Sequence, residues 1–179
     1  PGGDYASDAR IELLPDGRVF CAGVYGDDEL GRADAVGLFT TTLDPATAND
    51  PKGMQWGAFH QNELNKVEDK KKGELPQKSV VMVRLLLRKD GGADVIAENN
   101  SLEYYTSSSL SGKSFQKASW QHGKVHVMRF TASGDATFYT MIDRNMVLED
   151  GVPGRVIAAG YQGGLFLFMN DNEAYVERR

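Results

Sequence analysis

The sequence predicts an all-β chain of blade-like hairpin repeats, and three observations carry that prediction. First, strand-length apolar runs fold back on one another at four glycine-bearing turns: Ile11 to Ala22 around Asp16-Gly17, Val80 to Asn99 around Asp90-Gly91-Gly92, Val125 to Ile142 around Ser133-Gly134, and Val156 to Met169 around Gln162-Gly163-Gly164. Second, side chains alternate with period two where a sheet face meets a core, as in Val125, Val127 and Arg129 against His126, Met128 and Phe130. Third, the turn glycines Gly17, Gly91, Gly134 and Gly163 are 74, 43 and 29 residues apart, and one four-stranded propeller blade occupies about 40 to 45 residues. A β-sandwich is the alternative, because short strands at turn-marked intervals fit it as well. Three or four blades rarely close a ring, so a larger chain or another polypeptide is expected to complete the assembly.

In the first hairpin, Pro15 presets φ and Gly17 accepts a positive φ, which makes Pro15-Asp16-Gly17 a turn with a mechanism. Residues 24–32 read as a loop, and with Asp34 they bring Asp27, Asp28 and Glu29 into an acidic cluster. Calcium takes several oxygen ligands from one loop, but the D-x-D-x-D-G spacing is absent and a solvated acidic loop is the reading kept. Asp34 to Leu43 is β-branched and aromatic and forms the next strand, ended by Asp44-Pro45. From Ala46 to Gln77 the pattern changes to a helical insertion: Met54, Trp56, Phe59, Leu64 and Val67 fall on one face, followed by the solvated run KVEDKKK. Its apolar face either covers a sheet edge or docks a protein partner through Trp56, Phe59 and Leu64.

Past the central hairpin, Ser101 to Gln121 reads as a long polar loop carrying Tyr104, Tyr105, Phe115 and Trp120 among serines and threonines. Aromatic faces stack on ligands and hydroxyls adapt to them, so these four are candidate ligand-binding residues, with a glycan as ligand. Ser111-Gly112-Lys113-Ser114 mimics the end of a phosphate-binding loop, but Ser107 stands where its opening glycine belongs. His122 and His126 follow a strand rather than a helix pattern, so a zinc-protease pair is not expected, and no metal or cofactor site is assigned.

Catalytic motifs are lacking too. The sequence has no G-x-S-x-G elbow, and the carboxylate pairs Glu98 with Glu103 and Asp143 with Glu149 are neighbours in sequence only. No catalytic residue is assigned; a glycoside hydrolase using carboxylates from different blades is the last alternative. The 179 residues, 41% of them hydrophobic, suffice for one sizeable core and one domain. A net charge of −5 gives no field to collect phosphate backbones, so nucleic acid is not an expected partner. Cys21 is the only cysteine and lies in the apolar run VFCAG, which rules out an internal disulfide and suits a small buried hydrophobe. No segment has the roughly 18 to 20 consecutive apolar residues of a helical membrane span. The opening Pro1-Gly2-Gly3 and the ending on Arg179 lead us to expect a processed chain or a piece of a longer one.

Several stretches together carry a resemblance. G-V-Y-G followed by A-V-G-L-F-T-T-T-L-D, the lysine-bearing insertion, L-L-R-K-D-G-G-A-D-V-I-A-E-N and the late F-L-F-M-N-D-N resemble exported, propeller-like repeat proteins of Bacteroidetes-type bacteria that lack an assigned function. The resemblance covers Arg10 to Asn172, rests on structural turns and strands, and brings no catalytic residue with it. Two departures stand out: Asn99-Asn100-Ser101-Leu102-Glu103 replaces an aromatic run after Glu98, and the chain is shorter than a complete member. The resemblance implies export to the periplasm or cell surface of a Gram-negative bacterium. The expected role is a non-enzymatic protein-interaction or scaffold module of the cell envelope, with a glycan-binding module as the alternative.

Overall fold

The computed structural model describes residues 4–27, 34–47, 55–59, 77–108, 111–144, 146–149 and 156–169. Twelve strands lie among them: β1 (Asp4–Leu13), β2 (Val19–Asp27), β3 (Asp34–Leu43), β4 (Gln55–Ala58), β5 (Gln77–Lys78), β6 (Val80–Leu87), β7 (Ala93–Ser108), β8 (Ser114–Phe130), β9 (Ala136–Ile142), β10 (Met146–Glu149), β11 (Ile157–Tyr161) and β12 (Gly164–Phe168). The fold is all-β: among the described residues every pairing is antiparallel, no sheet closes into a barrel, and there is no α-helix. The one helical turn among the described residues, the 3-10 turn Pro45–Thr47, is far too short to cross a membrane.

Consecutive strands pair with their neighbours, so each sheet is nearly contiguous in sequence. The first sheet runs β1-β2-β3-β4 with β5 also on β3, the second runs β10-β8-β7-β6 with β9 also on β8, and β11-β12 form the third. All four expected turns are where the sequence puts them, and Gly17, Gly91, Gly134 and Gly163 have φ of 86°, 83°, 90° and 79°, a region that a Cβ makes costly. Asp16 and Asp90 brace their turns by accepting from the amides of Arg18 and Gly92, both at 3.1 Å.

Three expected elements differ. Residues 101–121 are strand on both sides of a fifth turn at Gly112 (φ 75°), so β7 and β8 form one long hairpin arm and not a polar loop. Backbone pairing overrides composition here, because a ladder needs no apolar alternation where both faces are largely wet, as toward the tip; nearer the base β10 adds a third strand along Ser119–His122. Between Ala46 and Gln77 the described part includes the strands β4 and β5, where Phe39 pairs with Trp56 and Ala35 with Gln77. Edge pairing with β3 satisfies those backbone groups in place of a helix; Leu64 and the KVEDKKK run lie outside the described residues. Val24–Asp27, expected in a loop, continues β2.

A single core joins the first two sheets. Phe20, Ala22, Val24 and Leu38 from one meet Met82, Leu85, Val95, Met128, Phe130 and Met141 from the other, all buried. Their edges are also tied: Asp8 Oδ2 accepts from the Met82 amide at 2.7 Å, and an Arg10 Nη2–H donates to the Met82 carbonyl at 3.3 Å. Both contacts sit at bulges, one at Ser7 in β1 and one at Val83 in β6, where a broken ladder frees backbone groups for outside partners. A second core lies on the opposite face of the second sheet, where Ile96, Val125 and Val127 are covered by Val156, Ala158, Leu165 and Leu167 of the β11–β12 hairpin.

On the other face of the first sheet, aromatic rings lie flat over glycines. A Cβ on Gly37 would collide with the Gly57 carbonyl and lie 2.6 Å from the Tyr25 ring. Gly37→Ala is therefore expected to destabilise the chain by about 1–3 kcal/mol through overpacking, read as a lower urea midpoint; an unchanged midpoint would contradict this packing.

Candidate functional site

The arm bends where β8 carries one extra residue. Glu98 pairs with Val125 and Asn100 with His122, so Gly123 and Lys124 together oppose Asn99. This bulge decides what the two histidines do. Four apart on an uninterrupted strand they would share a face, but the extra residue sends His126 into the core between the sheets and His122 to the side of Glu98.

His122 and Glu98 form the centre of a buried charged network. Glu98 Oε1 accepts from His122 Nδ1 at 2.6 Å and from Arg144 Nη1 at 3.2 Å. The Arg144 side chain has 0% exposure, Glu98 4% and His122 2%, and another Arg144 N–H reaches Met146 Sδ at 3.7 Å. A carboxylate that also receives an arginine is an acceptor, so in this pair His122 Nδ1–H donates to Glu98. Among the described residues, neither His122 Nε2 nor the oxygen of its cross-strand neighbour Asn100 has a hydrogen-bond partner.

His126 belongs to a separate, neutral network. Its Nδ1 lies 2.8 Å from the Tyr139 hydroxyl and its Nε2 2.8 Å from Asn99 Oδ1. Since the Asn99 oxygen can only accept, Nε2–H donates and Nδ1 accepts from Tyr139. Phe59 stacks on the imidazole with centroids 4.4 Å apart. Burial, followed by the nearby Lys124 charge, pushes the His126 pKa down from 6.5 to about 3.

A carboxylate–imidazole pair can orient a general base, but the setting here opposes that use. The Nε2 is enclosed, and among the described residues no hydroxyl or thiol is bonded to it. The carboxylates that are close in sequence are separated: Glu98 is buried, whereas Glu103 is exposed on the arm and accepts from Gln121 at 3.4 Å. Asp143 is exposed, and the side chain of Glu149 lies outside the description. No three His, Cys, Asp or Glu side chains among the described residues are grouped to hold a metal.

The four candidate ligand-binding aromatics divide between the two faces of the arm. Register pairs Leu102 with Trp120, Tyr104 with Ala118, Tyr105 with Lys117 and Ser107 with Phe115. Tyr104 and Trp120 therefore share one face as diagonal neighbours, while Tyr105 and Phe115 share the other. Lys117 lies 5.9 Å over the Phe115 ring. Of the candidate partner-binding residues, Phe59 is buried and tied to His126, so its ring faces the core; the Trp56 side chain and Leu64 lie outside the description.

A surface that the sequence reading did not single out lies on the third sheet. Ile157 pairs with Phe168, Ala159 with Phe166 and Tyr161 with Gly164, and this alternate set faces outward while Ala158, Leu165 and Leu167 face the core. Among the described residues the outward face has no charged residue. In GLFLF and IAAGY both faces are apolar, so the sequence does not distinguish the covered face from the exposed one. Comparison of the chain with protein-family models, with curated proteins and with solved structures finds no match to any of them.

Proposed function

We propose that the chain is a non-enzymatic protein-interaction or scaffold module of an exported bacterial envelope protein or a larger assembly. The observation that carries this reading is the uncharged outer face of β11–β12. Four large apolar side chains stand there in water, and soluble surfaces rarely group so many unless another macromolecule covers them. The enclosure of Glu98, His122 and Arg144 favours the same reading, since those charges brace the arm and are closed to substrate. The propeller-like architecture belongs to this proposal. Successive sheets built from contiguous segments are what blades are, and a two-stranded third sheet is short of a blade; the core shared by the first two sheets suits a β-sandwich equally. Export to the periplasm or cell surface rests on the sequence resemblance. The test is affinity purification of the parent protein in mild detergent from the cells that make it. Stoichiometric recovery of another polypeptide is expected, and recovery of no polypeptide beyond a single copy would overturn the reading.

A glycan-binding module is the second reading, favoured by Tyr104, which is 68% exposed on the same arm face as Trp120. Stacking on one aromatic is worth about 0.5–1.5 kcal/mol, so Trp120→Ala is expected to cut retention on a polysaccharide matrix several-fold. Unchanged retention would sink the reading.

A further inference from the structure

Resting on the interaction-module reading, we propose that the outer face of the β11–β12 hairpin binds the same face of a second copy of this chain, forming a two-fold dimer. The area is sufficient. Ile157, Tyr161, Phe166 and Phe168 are 63%, 65%, 50% and 61% exposed. At roughly 200 Å² per large side chain they present on the order of 500 Å² per copy, or about 1,000 Å² across a symmetrical contact, the threshold of a specific interface. A contact of that size lies at the low end of specific interfaces, below the range of obligate dimers, so a reversible dimer is expected.

The chemistry favours a second copy over other occupants. A two-fold contact places a surface against itself, so any charge at its centre would meet its own sign. This face has none, although the chain as a whole carries −5. A sugar needs several polar partners, and among the described residues of β11 and β12 the Tyr161 hydroxyl is the only polar side-chain group on this face.

Its relief is self-complementary as well. Ala159 lies between Ile157 and Tyr161 on β11 and opposite Phe166 on β12. The Phe166 ring leans toward Gly164, lying 3.6 Å from where a Cβ there would be, which leaves Ala159 as the floor of a hollow walled by bulky apolar side chains. Under two-fold symmetry each copy offers both a hollow and the side chains to fill one.

Sedimentation velocity of the chain across a concentration series up to about 100 μM tests the proposal. Wild type is expected to pass from monomer to dimer within that range, whereas Ala159→Arg, which fills the hollow with a charge, weakens the dissociation constant at least about tenfold. Phe166→Ser does the same by removing a wall. Both side chains are exposed, so circular dichroism and the melting temperature should match wild type, and either variant suffices if the other misfolds. A wild type that stays monomeric, or variants that dimerise as tightly as wild type, overturns the dimer. If the monomeric chain's parent still retains a different polypeptide on purification, the interaction-module reading survives and only the second copy fails.

Discussion

Replacing Glu98 with alanine is expected to lower the free energy of unfolding by about 3–5 kcal/mol, the usual consequence of stripping one partner from a buried ion pair. The variant leaves the Arg144 guanidinium enclosed without the carboxylate it meets at 3.2 Å, and takes away the His122 partner at 2.6 Å. Glu98→Gln keeps an acceptor oxygen and should cost less. A variant that replaces the whole network, Glu98→Leu with His122→Leu and Arg144→Met, should recover much of the loss, because packed apolar side chains replace buried charges at little cost. Urea unfolding at pH 7 reads all three. A Glu98→Ala loss under about 1 kcal/mol would mean that the network does not brace the arm.

Acid is expected to act through His126. Its folded pKa is pushed down to about 3 by burial, while the unfolded chain takes up the proton near 6.5. Between those values the unfolded state binds more protons, so the contribution is fully present above pH 6.5 and falls as the pH drops. The loss is about 1.4 kcal/mol per pH unit, up to roughly 4 kcal/mol at pH 3. His126→Gln retains an amide donor and acceptor for Asn99 and Tyr139 but cannot titrate. Urea midpoints measured from pH 7 to pH 4 should therefore converge for the two proteins, with wild type losing its advantage as the pH falls. Parallel curves would show that His126 titrates in the folded state as it does in the unfolded one, and would contradict the lowered pKa.

The hairpins were legible because their signals are local. Asp16-Gly17, Gly91-Gly92, Ser133-Gly134 and Gln162-Gly163 each place a glycine at a backbone angle other residues avoid, between runs of strand length. The arm was not legible, because its outer half is mostly wet and shows no apolar alternation: Ser101 to Ser108 pairs with Ser114 to Gln121 through the backbone ladder, with few side-chain contacts such as Gln121 to Glu103 across it. In the Ala46 to Gln77 stretch, spacing of apolar residues suggested a helical face, yet Gln55–Ala58 finds its hydrogen bonds on the edge of β3. The buried network depended on two things sequence spacing does not show. One is the extra residue at Gly123–Lys124, which reverses the facing of His122 relative to His126; the other is Arg144, which comes from 46 residues beyond Glu98 to meet it. Glu98 and Glu103, five residues apart on β7, face opposite sides of the strand by its two-residue alternation.

The most direct measurement on the central claim is co-purification of two differently tagged copies of the parent protein, with mass spectrometry of everything retained, for wild type beside Ala159→Arg. The account predicts that wild type retains its second copy and that the arginine variant loses it while folding normally. Equal retention by both proteins, or recovery of a lone copy in both, would contradict an interaction surface on that hairpin.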